Sequence, residues 1–337
     1  MSQTKGTIAV VGAGVVGLTT ACRLLEAGWS VDVIASRRTP GTTSDRAGAT
    51  FTPFGDGTVP EHVGWTAVGY ATLKEIAGRE GGASGVRMAA LRDYMRSADP
   101  PTPWWADLAG GVVRRAAPAG YSVVFEAVLP HIDMTRYMPW LDARAVSMGA
   151  RFVTREVRTL EELSGGGYAA AVNCSGLGAG RLCADAAVTP MRGQVLHAAN
   201  TLGLNDSLHD EPEGGRVTYL FSFDRHVVMG GTYEPGVDRE ETEPGAIGAI
   251  VERCRSLLRA DGHPRWAELG RDELRRVGGL RPARVIGGDS EAVRLEVEHR
   301  PGLPPIVHNY GHGRAGVSLS WGCAARAADL AGAAAGR

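Results

Sequence analysis

Gly12-Ala13-Gly14-Val15-Val16-Gly17 has the spacing of a dinucleotide-binding turn, between a strand-like run and a helix-like one. Gly12 permits a tight turn, Gly14 lets the backbone approach a pyrophosphate, and Gly17 lets the helix pack closely on the strand. The helix start adds partial positive charge where phosphates would lie. The position that usually holds an acid for the ribose hydroxyls is Ser36, followed by Arg37 and Arg38. Taken alone, Ser-Arg-Arg suits a 2′-phosphate, so this segment leaves FAD and NADP both open. Other reactive patterns are weaker. His308 and His312 have the spacing of a metal pair, but Gly311 and Gly313 interrupt any helix there and no third ligand lies close in sequence. No metal site is expected. Ser175 in Cys-Ser-Gly lacks the Gly-x-Ser-x-Gly elbow of a hydrolase nucleophile. Cys22, Cys174, Cys183, Cys254 and Cys323 form no Cys-x-x-Cys pair, and their mostly apolar contexts suit buried thiols in a reducing compartment.

An α/β scaffold must carry these residues. Thr7–Val11 is a continuous β-branched and apolar run, as expected of a strand buried on both faces. Leu18–Ala27 reads as a helix closed by Gly28, and Val31–Ala35 as a second strand, so a βαβ unit opens the chain. Residues 36–60 read as loop, Val63–Ile76 and Ile132–Met148 as helices, and Arg151–Thr154 and Ala169–Cys174 as strands. After Gly193-Gln194 the pattern is β-like at Val195–His197, Thr218–Phe221 and Val227–Gly231. The polar, acidic stretch Asn205–Gly215 reads as a mobile surface loop. Residues 244–260 and Gly322–Ala335 read as helices.

The chain has 337 residues, enough for about two domains or one large α/β unit. Its 36 Lys and Arg against 37 Asp and Glu give a net charge of −1, which offers no field for nucleic acid or an anionic membrane. Lysine occurs only at Lys5 and Lys74 and glycine 47 times, a bias typical of GC-rich bacterial genomes. No apolar stretch reaches the ~18 residues of a membrane span, and MSQTKG leads into a strand with no signal-peptide pattern. A cytoplasmic enzyme is expected.

The C-terminal third carries a resemblance. Gly278-Gly279-Leu280-Arg281-Pro282-Ala283-Arg284 with Arg294-Leu295-Glu296, then His308 through Gly316 and Ser320-Trp321-Gly322-Cys323-Ala324, resemble segments of the D-amino acid oxidase family. Ala35–Pro40, Thr42–Asp45, Val172–Gly176, Met191–Gln194, Thr218-Tyr219 and Gly230–Thr232 agree in order, so the likeness runs nearly end to end. It implies an FAD-binding domain of Rossmann type with a second, substrate domain on a mixed β-sheet. The first would comprise about 1–53, 132–192 and 275–337, and the second about 54–131 and 193–274. Homodimers are common in the family.

By resemblance, Gly12, Gly14, Val15, Val16 and Gly17 face the FAD pyrophosphate, and Ser36, Arg37, Thr42, Thr43 and Ser44 its ribose and phosphates. Val157 lines the adenine, while Ser175, Gly176, Gly311, His312, Gly313, Gly316, Val317 and Ser318 border the rest of the cofactor with Arg281. The family's acid before Arg37 is Ser36 here, which should weaken the adenosine ribose contact. Arg281 matches the arginine that forks the substrate carboxylate. Tyr219 matches the tyrosine on the same carboxylate, and the Arg314 carbonyl the acceptor for the substrate amine. The implied reaction is oxidative deamination of a D-amino acid, with O₂ reduced to H₂O₂. The alternatives are a specialised biosynthetic oxidase for a glycine-like or N-substituted amine, and an NADP-dependent reductase. Gly215 stands where animal members have a second active-site Tyr, so the lid should be more open or differently built. The side chains of Arg216 and Arg314 could select an acidic group, and Phe54, Phe221 and Tyr233 could shape the pocket.

Overall fold

The computed structural model describes residues 5–53, 55–213, 216–287 and 290–336. Thr7–Val11 pairs in parallel with Ser30–Ala35 on one side and Ala170–Asn173 on the other. Ile8, Ala9 and Val10 are fully buried, as an apolar run without polar alternation requires. Arg151–Thr154 and Ile306–Tyr310 extend the parallel sheet, and Arg294–Glu298 closes it antiparallel, giving six strands. The helices Val15–Glu26, Met134–Ser147 and Gly316–Ala335 pack beside it. Gly316–Ala335 also crosses Pro60–Glu80, where a Cβ on Gly69 would lie 2.2 Å from the Ser318 carbonyl oxygen. That close crossing sets the depth at which the N-terminus of Gly316–Ala335 enters the interior.

The second sheet has eleven strands. Its order across the middle is Arg275–Ile286, Val188–Ala199, His226–Gly230, Arg216–Ser222, Ser207–Glu213, Val86–Met95 and Val123–Ile132. All neighbours are antiparallel except Ser207–Glu213 on Val86–Met95. The helix Pro244–Ala260 covers one face with Ile247, Ile250, Val251, Cys254, Leu257 and Leu258, an i, i+3/i+4 stripe. The other face lines the large cavity described below.

Several elements differ from the sequence reading. Asn205–Gly215 was expected to be a mobile loop, yet Ser207–Glu213 is a strand between two others; Gly215 itself lies outside the described residues. Its charges did not prevent sheet formation because the neighbours pair them: Asp210 meets Arg96, and His209 meets Asp93. Ile132 ends the strand Val123–Ile132 rather than starting a helix, and Asp133 caps Met134–Ser147 by accepting from the Thr135 amide at 3.0 Å. The last helix begins at Gly316, six positions before the expected Gly322. Gly316, with Ser318 and Ser320 just after it, hid the start from a propensity reading. The five cysteines are unpaired, and no described helix is long and apolar enough to cross a membrane.

Candidate active site

One cavity of about 980 Å³ runs between the two sheets. At its nucleotide end, Gly12 adopts φ 114°, and a Cβ there would fall 2.4 Å from the Cys174 carbonyl oxygen. A Cβ on Gly17 would fall 2.0 Å from the Gly12 carbonyl oxygen, so only glycine allows this strand–helix packing. Gly17 is the one expected cofactor residue that does not itself line the cavity. The helix Val15–Glu26 points its N-terminus into the space with no acidic residue in its first turn. Its Val15 amide donates to Ser44 Oγ at 3.0 Å, which fixes the loop carrying Thr42 and Thr43 beside it. Gly316–Ala335 brings a second N-terminus to the same cavity, again without an acid in its first turn or a side-chain cap. Each end carries about half a positive charge.

Gly12, Gly14, Val15, Val16, Ser36, Arg37, Thr42, Thr43, Ser44, Val157, Ser175 and Gly176 all line this end. Ser36 and Arg37 are exposed, whereas Val157 is buried. Gly311, His312, Gly313, Gly316, Val317 and Ser318 form the wall nearer the large sheet. There Ser318 Oγ accepts from the Thr52 amide at 3.0 Å, tying the chain after the first nucleotide segment to this wall. Burial lowers the pKa of His312 to about 4, so its ring is neutral near pH 7. Its Nε2 and the Asn309 Oδ1 are buried without a protein partner among the described residues, on a wall of the cavity. Two helix N-termini without an acid in the first turn, a glycine-built approach and orphaned polar atoms fit a flavin dinucleotide. His308, the other member of the i, i+4 pair, instead bonds Glu298 through Nε2 at 2.7 Å.

The large sheet supplies the other wall. Arg281 lies on Arg275–Ile286, and its guanidinium occupies the space above Gly193, where a Cβ would be 2.3 Å from Nη2. It donates to the Thr232 carbonyl at 3.3 Å, and its charge lies close enough to the Tyr219 hydroxyl to favour the phenolate. Among the described residues it meets no carboxylate, so a planar, doubly donating cation faces the cavity. The Tyr219 ring lies over Gly230, where a Cβ would be 2.0 Å from the ring. Burial raises the Tyr219 pKa against the opposing pull of Arg281, and the hydroxyl remains a donor at neutral pH. Arg314, Phe221 and Tyr233 line the same space, and the Arg314 side chain is exposed. Arg216 is exposed but is not part of the wall, and Phe54 lies outside the described residues.

Sequence reasoning missed three polar residues of this wall. His209 lines the cavity beside Tyr219, with Nδ1 2.8 Å from Asp93 Oδ1. Arg46 pairs with Glu240 and donates to the Gly278 carbonyl at 3.1 Å. His209 was hidden by the loop reading of its strand. Arg46 and Glu240 are nearly two hundred positions apart, with no local signal joining them.

Fold and site together define a dinucleotide-dependent oxidoreductase whose ligand pocket opens on a separate mixed sheet. Residues 7–330 match the family model described as DAO, FAD dependent oxidoreductase, and the chain belongs to that family. Its cofactor is FAD. The NADP alternative gains nothing from Arg38, which turns away to Asp142 through two hydrogen bonds of 3.0 and 2.6 Å and is not part of the cavity wall. The chain is 38% identical over 328 residues to a D-amino-acid oxidase of Rubrobacter xylanophilus, covering 96% of this chain and 95% of that one. It is 37% identical over 330 residues to a D-amino-acid oxidase of Streptomyces coelicolor, covering 98% of each. A glycine oxidase structure from Geobacillus kaustophilus superposes with a TM-score of 0.77 at 19% identity, covering 97% of this chain and 95% of that one.

Proposed function

We propose that this protein oxidatively deaminates a D-amino acid to its 2-oxo acid and ammonia, with O₂ reduced to H₂O₂. The observation that carries the reading is Arg281, a cation without a carboxylate partner among the described residues, set with Tyr219 on the cavity wall. FAD, when bound, supplies the acceptor for the hydrogen that leaves Cα as hydride and passes the electrons to O₂. The protein's part is positioning. Arg281 forks the substrate carboxylate through two N–H groups, and Tyr219 adds its hydroxyl from the side. The Arg314 backbone carbonyl accepts from the amine, which enters neutral, so no side-chain base is needed. The resulting imine leaves the pocket and hydrolyses in water. Supporting this order are the roles the family resemblance implies and the identity to curated D-amino-acid oxidases.

The same reading assigns the cofactor contacts at Gly12 through Gly17, Ser36–Arg37, Thr42–Ser44, Val157, Ser175-Gly176 and Gly311–Ser318. The two domains then follow the two sheets. Because Val188–Ala199 and Arg275–Ile286 share one ladder, from Arg275 opposite His197 to Arg284 opposite Val188, residues 188–192 and 275–286 count with the substrate domain. The test is the visible spectrum of the purified holoprotein before and after anaerobic addition of D- and L-amino acids, glycine and sarcosine. Bleaching by D-amino acids supports the reading. Bleaching only by glycine or sarcosine replaces it with the alternative of a specialised oxidase for a glycine-like or N-substituted amine, and bleaching only by L-amino acids overturns it.

A further inference from the structure

We infer that Arg192 and Glu234, an ion pair behind the cavity floor, are positioning residues for the substrate carboxylate. They hold the Thr232 carbonyl, and that carbonyl sets the Arg281 guanidinium. The inference rests on the amino acid oxidase reading and deepens it, because that reading gives Arg281 a task without saying what aims it. Successive side chains of a strand project to opposite faces. On Val188–Ala199, Gly193 faces the cavity beneath the Arg281 guanidinium, so Arg192 and Gln194 face the back. Both are buried, at 2% and 0% exposure, and neither they nor Glu234 line the cavity. Residues so placed touch neither substrate nor flavin and act only through others.

What they act on is the connection between His226–Gly230 and Pro244–Ala260. Its regular structure is limited to Glu234–Pro235, paired with Arg192 and Met191, so side chains have to fix the rest. Arg192 gives it three donors: Nε to Glu234, Nη1 to the Glu241 carbonyl at 3.0 Å and Nη2 to Glu243 Oε1 at 2.6 Å. Gln194 gives Nε2 to Glu234 Oε1 at 2.7 Å, and its Oε1 accepts from the Glu243 amide at 2.7 Å. The Gln194 amide donates to Thr232 Oγ1 at 3.0 Å. All these bonds end within residues 232–243, and Glu234 takes two of them only two positions from Thr232. The Thr232 carbonyl in turn accepts from Arg281 Nη1 at 3.3 Å. The same connection brings Tyr233 and Glu240 to the cavity wall, where Glu240 pairs with Arg46.

A buried ion pair often adds no net stability over an apolar pair of similar size, because desolvation offsets the attraction. It does impose direction, since a guanidinium presents its donors in one rigid plane. Forked onto Glu234 and Glu243, Arg192 fixes where the connection lies and with it the Thr232 carbonyl. An Arg281 held at one N–H then offers its remaining donors to a ligand in one orientation.

The test measures the affinity of butyrate, a carboxylate without an amine, for the oxidised holoenzyme from the perturbation of the flavin spectrum. Glu234→Gln keeps the size of the side chain and the bond from Gln194 but removes the charge that holds Arg192. It should retain flavin and Tm and weaken butyrate about 5- to 10-fold, the loss of one aligned charge-assisted bond. KM for a D-amino acid should rise by the same factor while kcat changes by less than about 2-fold. Arg281→Lys has a single ammonium that cannot bond Thr232 and fork a carboxylate together. In that background Glu234→Gln should be nearly silent, within about 2-fold. A purely structural pair would lower Tm and flavin content but leave the butyrate affinity of the flavin-loaded fraction unchanged. That result, or a loss that simply adds to the one from Arg281→Lys, overturns the inference. If Glu234→Gln yields no flavin-loaded protein, Arg192→Lys is judged by the same criteria. If no D-amino acid is oxidised while butyrate affinity follows this pattern, the deamination reading fails and the positioning role stands. D-amino acid turnover with wild-type kinetics in Glu234→Gln overturns the positioning role alone.

Discussion

At the nucleotide end, the cavity is walled by main chain: the Gly12 turn, two helix N-termini and the Ser44 loop. At the sheet end, it is walled by side chains laid over glycines, Arg281 above Gly193 and Tyr219 above Gly230. The first arrangement suits a long ligand of fixed chemistry, because backbone amides and helix dipoles recognise phosphate whatever the side chains are. The second suits a small ligand that must be oriented, because forked and hydroxyl donors have direction. Substitutions should therefore separate the ends: the nucleotide end fails by steric exclusion, the sheet end by lost recognition.

The largest effect is expected at Gly17→Val. Its Cβ would meet the Gly12 carbonyl oxygen at 2.0 Å, a backbone atom that cannot turn aside. Strain of this kind costs about 3 kcal/mol or more, so the purified protein should carry little flavin and melt well below wild type. Flavin content and Tm near wild type would break the first half of the comparison. Arg281→Ala comes next. It should retain flavin and Tm but lose about 10²- to 10³-fold in kcat/KM for carboxylate-bearing substrates, the range for truncating a charge-paired donor. Loss of flavin with activity per flavin intact would instead place Arg281 at the cofactor end.

Acid should act on both ends together. His312 on the cofactor wall, and His131 and His197 in the large sheet, have pKa values lowered to about 4 by burial. In the unfolded chain each takes up a proton near 6.5, so between those values the unfolded state binds more protons. Stability is therefore full above about pH 6.5 and falls as the pH drops towards 4, by up to about 3 kcal/mol for each histidine. Melting curves from pH 7 to 4.5 should show this fall, and His197→Gln should make it shallower. A Tm independent of pH over that range contradicts the neutral burial of these rings. The smallest effect is expected for Tyr219→Phe. Losing one hydroxyl donor should raise KM about 5- to 10-fold, roughly 1 kcal/mol, with little change in kcat. An unchanged KM would reduce Tyr219 to a packing residue.

The two ends also differed in how readily they were read. Thr7–Val11, the glycine turn and the helix after it are contiguous, so the βαβ unit was visible as one pattern. Arg281, Tyr219 and Arg314 were reached through family resemblance, since an isolated Arg or strand Tyr carries no local mark. His209 was misplaced because a strand whose charges are neutralised by neighbours looks like a loop when those neighbours are unknown.

What the amino-acid order by itself determined is the part whose physics is local: the dinucleotide turn, the buried parallel strand and the helix over residues 244–260. Local sterics and hydrophobic periodicity act within a few residues, so they can be read along the chain. Only the tertiary structure decided which side chains share a wall. Arg281 meets Tyr219 because strands 62 positions apart lie near each other in one sheet, and Arg38 leaves the nucleotide for Asp142, 104 positions away. Strand order and register set those meetings, and both follow from burying two sheet faces at once rather than from any single segment.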